Sequence, residues 1–404
     1  MKVKNSLSTN NGLFTLHSFA FYQAREIMEN STLAKILNHL ETTLMRNIVI
    51  PLTALFLNAM AVSAQSVSNV FGFPSTEPGY SLGVSACYAG QIGDYLVMAG
   101  GCNFPTPGNK TYYAGIYAAR VDATVLNWQL VGLLPEPAAY GATVANGDSL
   151  LFIGGNNAEH SLKSVYSIHL NVTGDKAEVQ RLADLPCTID NMAVAMNGNN
   201  IYLSGGNQDG KPSANVLHHN MVDSKGQWNI AATVPGSPRV QPVSVATDGN
   251  VYVWGGFYVN GENSEVHTDG YCLNTTTGAW TALAAPRSVN GKQTTLSGGI
   301  AWTEGKRVFA TGGVNKDIFL DAISGRYEFV KKEDYLLQPI EWYKFSGNLY
   351  TFDVKGNKWL KTKFADKALA RAGAVVVPTE IGTYYIGGEL KPSVRTPQIV
   401  IVKE

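Results

Sequence analysis

Val251-Tyr252-Val253-Trp254-Gly255-Gly256 is a run of β-branched and aromatic residues that stops at a pair of glycines. Such a run favours an extended strand, and the glycines permit a backbone turn that other residues resist. The pattern recurs as YLVMAGG ending at Gly101, LLFIGG at Gly155, IYLSGG at Gly206, RVFATGG at Gly313 and TYYIGG at Gly388. The last glycines lie 54, 51, 50, 57 and 75 residues apart. Six copies, the first five at a spacing close to about 50 residues, predict an all-β chain built from one repeated unit.

A strand of small residues precedes most copies: 83–89, 141–145, 193–196, 243–246 and 373–377. After the glycines comes a tyrosine-bearing strand and a turn that leads to Trp280 or Trp359, with weaker copies at Trp128 and Trp228. The unit is therefore four-stranded. Over residues 66–404 the sequence resembles the kelch repeat family, which implies a six-bladed β-propeller with the tryptophans packed between blades. Only one further strand, 398–402, fits after Gly388. The sixth blade thus lacks its outer strand, and residues 66–74 are expected to supply it and close the last blade.

Residues 45–65 combine Arg46, an apolar run from Ile48 to Met60 and a small-residue site at Val62-Ser63-Ala64. This pattern predicts a signal peptide at 45–64, a non-native upstream extension at 1–44, a single domain at 65–404 and a periplasmic or secreted protein. The apolar run falls short of the ~20 residues that span a bilayer, so no stable membrane anchor is expected after cleavage. The mature part carries 26 basic and 28 acidic residues without a basic run, which argues against a nucleic-acid partner. Cys87, Cys102, Cys187 and Cys272 lack metal-ligand spacing and are expected as small buried hydrophobes. His160, His169, His218, His219 and His267 show no convergent spacing, so no metal or cofactor is expected. The oligomeric state stays open.

In a four-stranded antiparallel unit, the loop after each glycine pair and the link into the next unit's first strand emerge on one face. That face should carry the site. It offers Asn103, Phe104, Asn156, Asn207, Asn315 and Glu389 after the glycines, and Tyr140, Asp190, Asn191, Arg239, Gln241 and Arg371 before the first strands. The set suits a polar, hydroxylated, anionic small molecule. The long interval before Gly388 places an insertion, 315–345, on the same face, where its aromatic residues are positioned to act as a lid.

Gly388-Glu389-Leu390-Lys391-Pro392-Ser393-Val394-Arg395-Thr396 and Gly312-Gly313-Val314-Asn315-Lys316-Asp317-Ile318-Phe319 resemble two segments of the sialic acid mutarotases, also called N-acetylneuraminate epimerases. Their place at the end of the chain makes the resemblance one to a cyclically permuted relative. The resemblance implies that Glu389 transfers protons and that Arg395 contacts substrate. By weaker local likeness it implies that Arg239, Gln241, Tyr140 and Asn315 bind substrate. The activity it implies is interconversion of the α and β anomers of N-acetylneuraminate, or a close sugar acid, without cofactor. The rival reading is a non-catalytic kelch propeller that binds glycan or protein, since this architecture does not determine function.

Overall fold

The computed structural model describes residues 65–222, 227–360 and 364–403. They all belong to the second of two compact units, Gln65–Glu404. The expected signal peptide and upstream extension lie outside the described residues.

The chain is all-β, built of small antiparallel sheets. The first comprises Tyr88–Ile92, Tyr95–Ala99, Gly115–Arg120 and Gln129–Leu133. The second has Ala142–Asn146, Ser149–Ile153, Val165–Leu170 and Ala177–Arg181, and the third Ala193–Asn197, Asn200–Ser204, Asn215–Asn220 and Asn229–Thr233. The main strands of the fourth are Val240–Thr247, Asn250–Tyr258, Gly270–Asn274 and Trp280–Leu283; those of the fifth are Gly299–Glu304, Arg307–Gly312, Tyr350–Asp353 and Lys358–Trp359. The sixth contains Val375–Thr379, Gly382–Ile386 and Ile399–Lys403, and its fourth strand is Ser66–Val70 from the other end of the described chain. Ser66 stands opposite Lys403 and Val70 opposite Ile399.

Each second strand is buried on both faces, as Val251 to Trp254 illustrates, which explains why these runs lack the alternation of a half-exposed strand. Apolar clusters lie between neighbouring sheets. Trp254, Tyr252, Val243 and Val245 of the fourth meet Val308, Tyr350 and Phe352 of the fifth, with Trp359 wedged alongside. The Trp359 indole also donates to Ala284 O at 2.9 Å, tying the two sheets together. At 1.5–3 kcal/mol for each large side chain buried, these seams are the main source of stability.

The first strands touch in succession from first sheet to sixth, and the sixth touches the first. At or just before their starts a cycle of backbone hydrogen bonds crosses from sheet to sheet. Tyr140 N donates to Ala86 O, Asn191 N to Tyr140 O, Gln241 N to Asn191 O, Gly298 N to Gln241 O, Gly373 N to Gly298 O, and Ala86 N to Gly373 O, at 2.7–3.1 Å. All six residues are left-handed, with φ between 52° and 69°. Four of them are not glycine, a conformation that costs about 1–2 kcal/mol per residue and is held here by the cross-sheet bonds.

Three expectations shift. The first strand of the first sheet begins at Tyr88 rather than Gly83, because Gly83 and Ala86 both have positive φ. The insertion is largely helical: Lys316–Ile323 is an α-helix, followed by 3-10 turns at Lys332–Leu337 and Ile340–Tyr343. All four cysteines are free, but only Cys87 and Cys102 are buried; Cys187 and Cys272 are half-buried and pack against the apolar clusters.

Candidate active site

The sixth glycine pair turns the chain where no side chain fits. A Cβ at Gly387 would lie 2.4 Å from Val84 O, and one at Gly388 2.8 Å from the Ala374 Cβ. The chain then forms a short hairpin, Glu389–Lys391 against Val394–Arg395, with Ser393 left-handed in its turn. Glu389 is paired directly with Arg395, so the six-residue spacing sets both side chains on one face.

The carboxylate of Glu389 contacts Nη1 of Arg395. Arg395 is almost wholly enclosed, its side chain 3% exposed, whereas Glu389 keeps 22%. The guanidinium lies 5.1 Å from the centroid of Phe104. Its Nε finds no hydrogen-bond acceptor among the described residues, which leaves a buried donor without a partner. Tyr140 stands beside the pair, and its hydroxyl accepts from Cys102 Sγ at 3.6 Å. The ammonium of Lys110 sits 4.5 Å from the Tyr140 ring and 4.8 Å from that of Tyr112.

Burial pushes the Glu389 carboxyl above its ordinary value, and the opposing pull of Arg395 and Lys110 does not reverse the rise. Burial acts to lower Arg395, but the charge of Glu389 and its Tyr140 and Cys102 neighbours carry it above the usual arginine value. A carboxyl raised toward neutrality while held against a fixed cation can both accept and return a proton.

The insertion covers this hairpin. Lys391 Nζ donates to Gln338 O at 2.6 Å and Leu336 O at 3.1 Å, and Tyr343 lies beneath it. Burial raises the Tyr335 and Tyr343 hydroxyls, and the nearby Glu389 charge adds to the rise in each.

The sequence profile of the N-acetylneuraminate epimerase family matches residues 182–403. The chain belongs to this family. It is 31% identical over 232 residues to the N-acetylneuraminate epimerase of Haemophilus influenzae (strain PittEE), covering 55% of this chain and 59% of that one. It is 26% identical over 256 residues to the N-acetylneuraminate epimerase of Escherichia coli (strain K12), covering 59% and 64%. The chain thus spans 59% to 64% of the length of these curated relatives. A solved structure described as "Structure of YjhT" is similar at 27% identity with a TM-score of 0.47, over 54% of this chain and 64% of that one.

The family match contains Glu389 and Arg395, but Phe104, Lys110 and Tyr140 come from the part before it. Of the residues expected at an epimerase site, the structure brings together Glu389, Arg395 and Tyr140. Gln241 instead donates to Asn191 Oδ1 at 2.8 Å on the rim of a cavity of about 560 Å³. That cavity runs along the first strands and includes Tyr140 on its rim, but its lining holds no carboxylate, amine or guanidinium. The buried carboxylate and guanidinium lie in the Glu389–Arg395 hairpin, outside this lining.

Arg239 and Asn315 are committed elsewhere. Arg239 is 1% exposed, donates to Gly255 O at 2.9 Å and pairs with Asp269 at 2.9 Å, so its guanidinium is engaged within its own sheet. Arg371 occupies the corresponding place in the sixth sheet and donates to Gly387 O. Asn315 caps the helix Lys316–Ile323 by accepting from the Asp317 and Ile318 amides. Lys110 escaped the sequence reading; the available signal was its place in the loop after the first glycine pair, next in order to the loop after the sixth.

Proposed function

We propose that this family member interconverts the α and β anomers of N-acetylneuraminate, or of a close sugar acid, by acid/base opening and closing of the sugar ring. The observation that carries this reading is the buried Glu389–Arg395 hairpin with its raised carboxyl. Ionised Glu389 takes the proton of the anomeric hydroxyl. As the anomeric C–O bond to the ring oxygen breaks, that oxygen gains a proton from water or a second donor, leaving an open-chain ketone. Rotation and the reverse transfers then close the ring on the other face. Arg395 holds Glu389 and offers donors to the substrate, while Phe104, Tyr140 and the insertion limit water around the reacting atoms.

The same proposal includes a six-bladed kelch-type propeller closed by Ser66–Val70. The successive first-strand contacts and the hydrogen-bond cycle support it. It also includes a cyclic permutation relative to the family, export through residues 45–64, and a lid role for residues 315–345. Exchange NMR on freshly released α-anomer is the test: wild type should exceed the buffer rate, and Glu389→Gln should lose about 10²- to 10⁴-fold of that excess. A wild-type rate equal to buffer for every sialic acid tried would replace this reading with a binding propeller.

A further inference from the structure

We propose that Lys110 is a specificity-determining residue whose ammonium receives the carboxylate of the sugar-acid substrate, sharing that recognition with Arg395. This rests on the sugar-acid reading of the same site.

The geometry gives the two cations different tasks. Arg395 is enclosed, stacked on Phe104 and already engaged by Glu389, so a substrate carboxylate held by Arg395 alone would compete directly with the proton-transferring group. Lys110 is half-buried and lies over the faces of Tyr112 and Tyr140. Among the described residues no carboxylate forms an ion pair with it. Aromatic faces fix an ammonium in place without neutralising it. Lys110 is therefore a positioned, uncompensated positive charge at the edge of the site.

The supporting backbone is built. Lys110 belongs to the strand Asn109–Tyr112, which pairs with Cys102–Thr106, and the latter packs against Val394–Arg395. The hairpin carrying Lys110 and the hairpin carrying the acid are thus neighbours, and the Lys110 charge is felt at Glu389. Glu389, Arg395 and Lys110 together leave one positive charge when the carboxyl is ionised. One bound carboxylate would neutralise it, which a neutral sugar cannot do.

The experiment compares N-acetylneuraminate with its methyl ester, by calorimetric binding and by exchange rate, for wild type, Lys110→Met, Lys110→Gln and Lys110→Arg. Wild type should prefer the free acid. Methionine or glutamine at position 110 should cut that preference by about 10- to 100-fold, chiefly through KM, and arginine should restore part of it. The pH–rate profile of Lys110→Met should also move upward, because a cation that favours ionised Glu389 is gone. If wild type is active but the acid-to-ester preference is the same in all four proteins, Lys110 does not recognise the carboxylate and Arg395 acts alone. If wild type neither binds nor turns over either compound, the proposed function fails, and this inference with it. Circular dichroism of each variant separates loss of fold from loss of preference, and a folded glutamine variant is sufficient for the decision.

Discussion

The fourth and sixth sheets place an arginine two residues before the hydrogen-bond cycle, Arg239 before Gln241 and Arg371 before Gly373, and each guanidinium binds the carbonyl of the first glycine of its own pair. Beyond the glycines they diverge. In the fourth sheet the acid is Asp269, 46% exposed, and although burial raises its carboxyl, the Arg239 hydrogen bond and charge prevail and hold it below the ordinary value. The sixth adds a separate hairpin whose own arginine faces Glu389, and there burial prevails and the carboxyl rises. Both regions contain an arginine–carboxylate pair. Enclosure of the acid gives the two carboxyls opposite shifts, and sequence does not display enclosure.

Parallel substitutions test this contrast. Glu389→Gln should lower the anomer-exchange rate by about 10²- to 10⁴-fold, while Asp269→Asn should stay within roughly 3-fold of wild type in the same NMR assay. Comparable losses in both would erase the distinction. The next largest effect is on stability. Removing residues 65–74 leaves Ile399–Lys403 as an uncovered edge of the sixth sheet, and differential scanning calorimetry should record a fall of roughly 5–15 °C in Tm. An unchanged Tm would show that this strand adds nothing the fourth sheet does not already have within its own segment.

Arg239→Met should cost about 3 kcal/mol in denaturant unfolding, the lower end for breaking a buried pair because Asp269 is half-exposed. Full stability in this variant would return Arg239 to the list of candidate ligand contacts. The smallest effect is in the pH dependence of stability. Glu389 has a raised folded value, so its contribution is present below the ordinary carboxylate range and is lost as pH rises through the raised value. Asp269 has a lowered one, so its contribution is present above that range and lost as pH falls through the lowered value. Between pH 3 and 8 the Tm advantage of wild type over Glu389→Gln should therefore shrink as pH rises, and its advantage over Asp269→Asn should grow. Tm measured from pH 3 to 8 reads both signs, and equal signs would contradict the assignment.

The six glycine pairs were legible because their positions demand backbone that only glycine adopts freely, as Gly255 and Gly256 show with φ of 66° and 88°. Glu389 and Arg395 were legible because the hairpin turns a fixed spacing into a facing pair. The first strand of the fifth sheet, Gly299–Glu304, was not, since irregular chain precedes it and its opening glycines hide the pattern. Nor was the cross-sheet cycle, because Ala86, Tyr140, Asn191 and Gln241 carry no local sign of a left-handed backbone. The same motif logic singled out Arg395 and Arg239, yet the first faces Glu389 and the second a carbonyl and Asp269: an arginine beside a turn reads alike in either setting. Lys110 and Glu389 meet only because the first and sixth sheets are neighbours, a relation held by no single stretch of chain.

The cycle through Ala86, Tyr140, Asn191, Gln241, Gly298 and Gly373 behaves mechanically as a hoop. Displacing any one sheet outward stretches the bond on either side of it, and the load passes around the circumference rather than into a single seam. Opening therefore requires coordinated rupture. The six amides should exchange with deuterium at nearly one common rate, slower than the loop amides around them and sensitive to damage in a sheet on the opposite side.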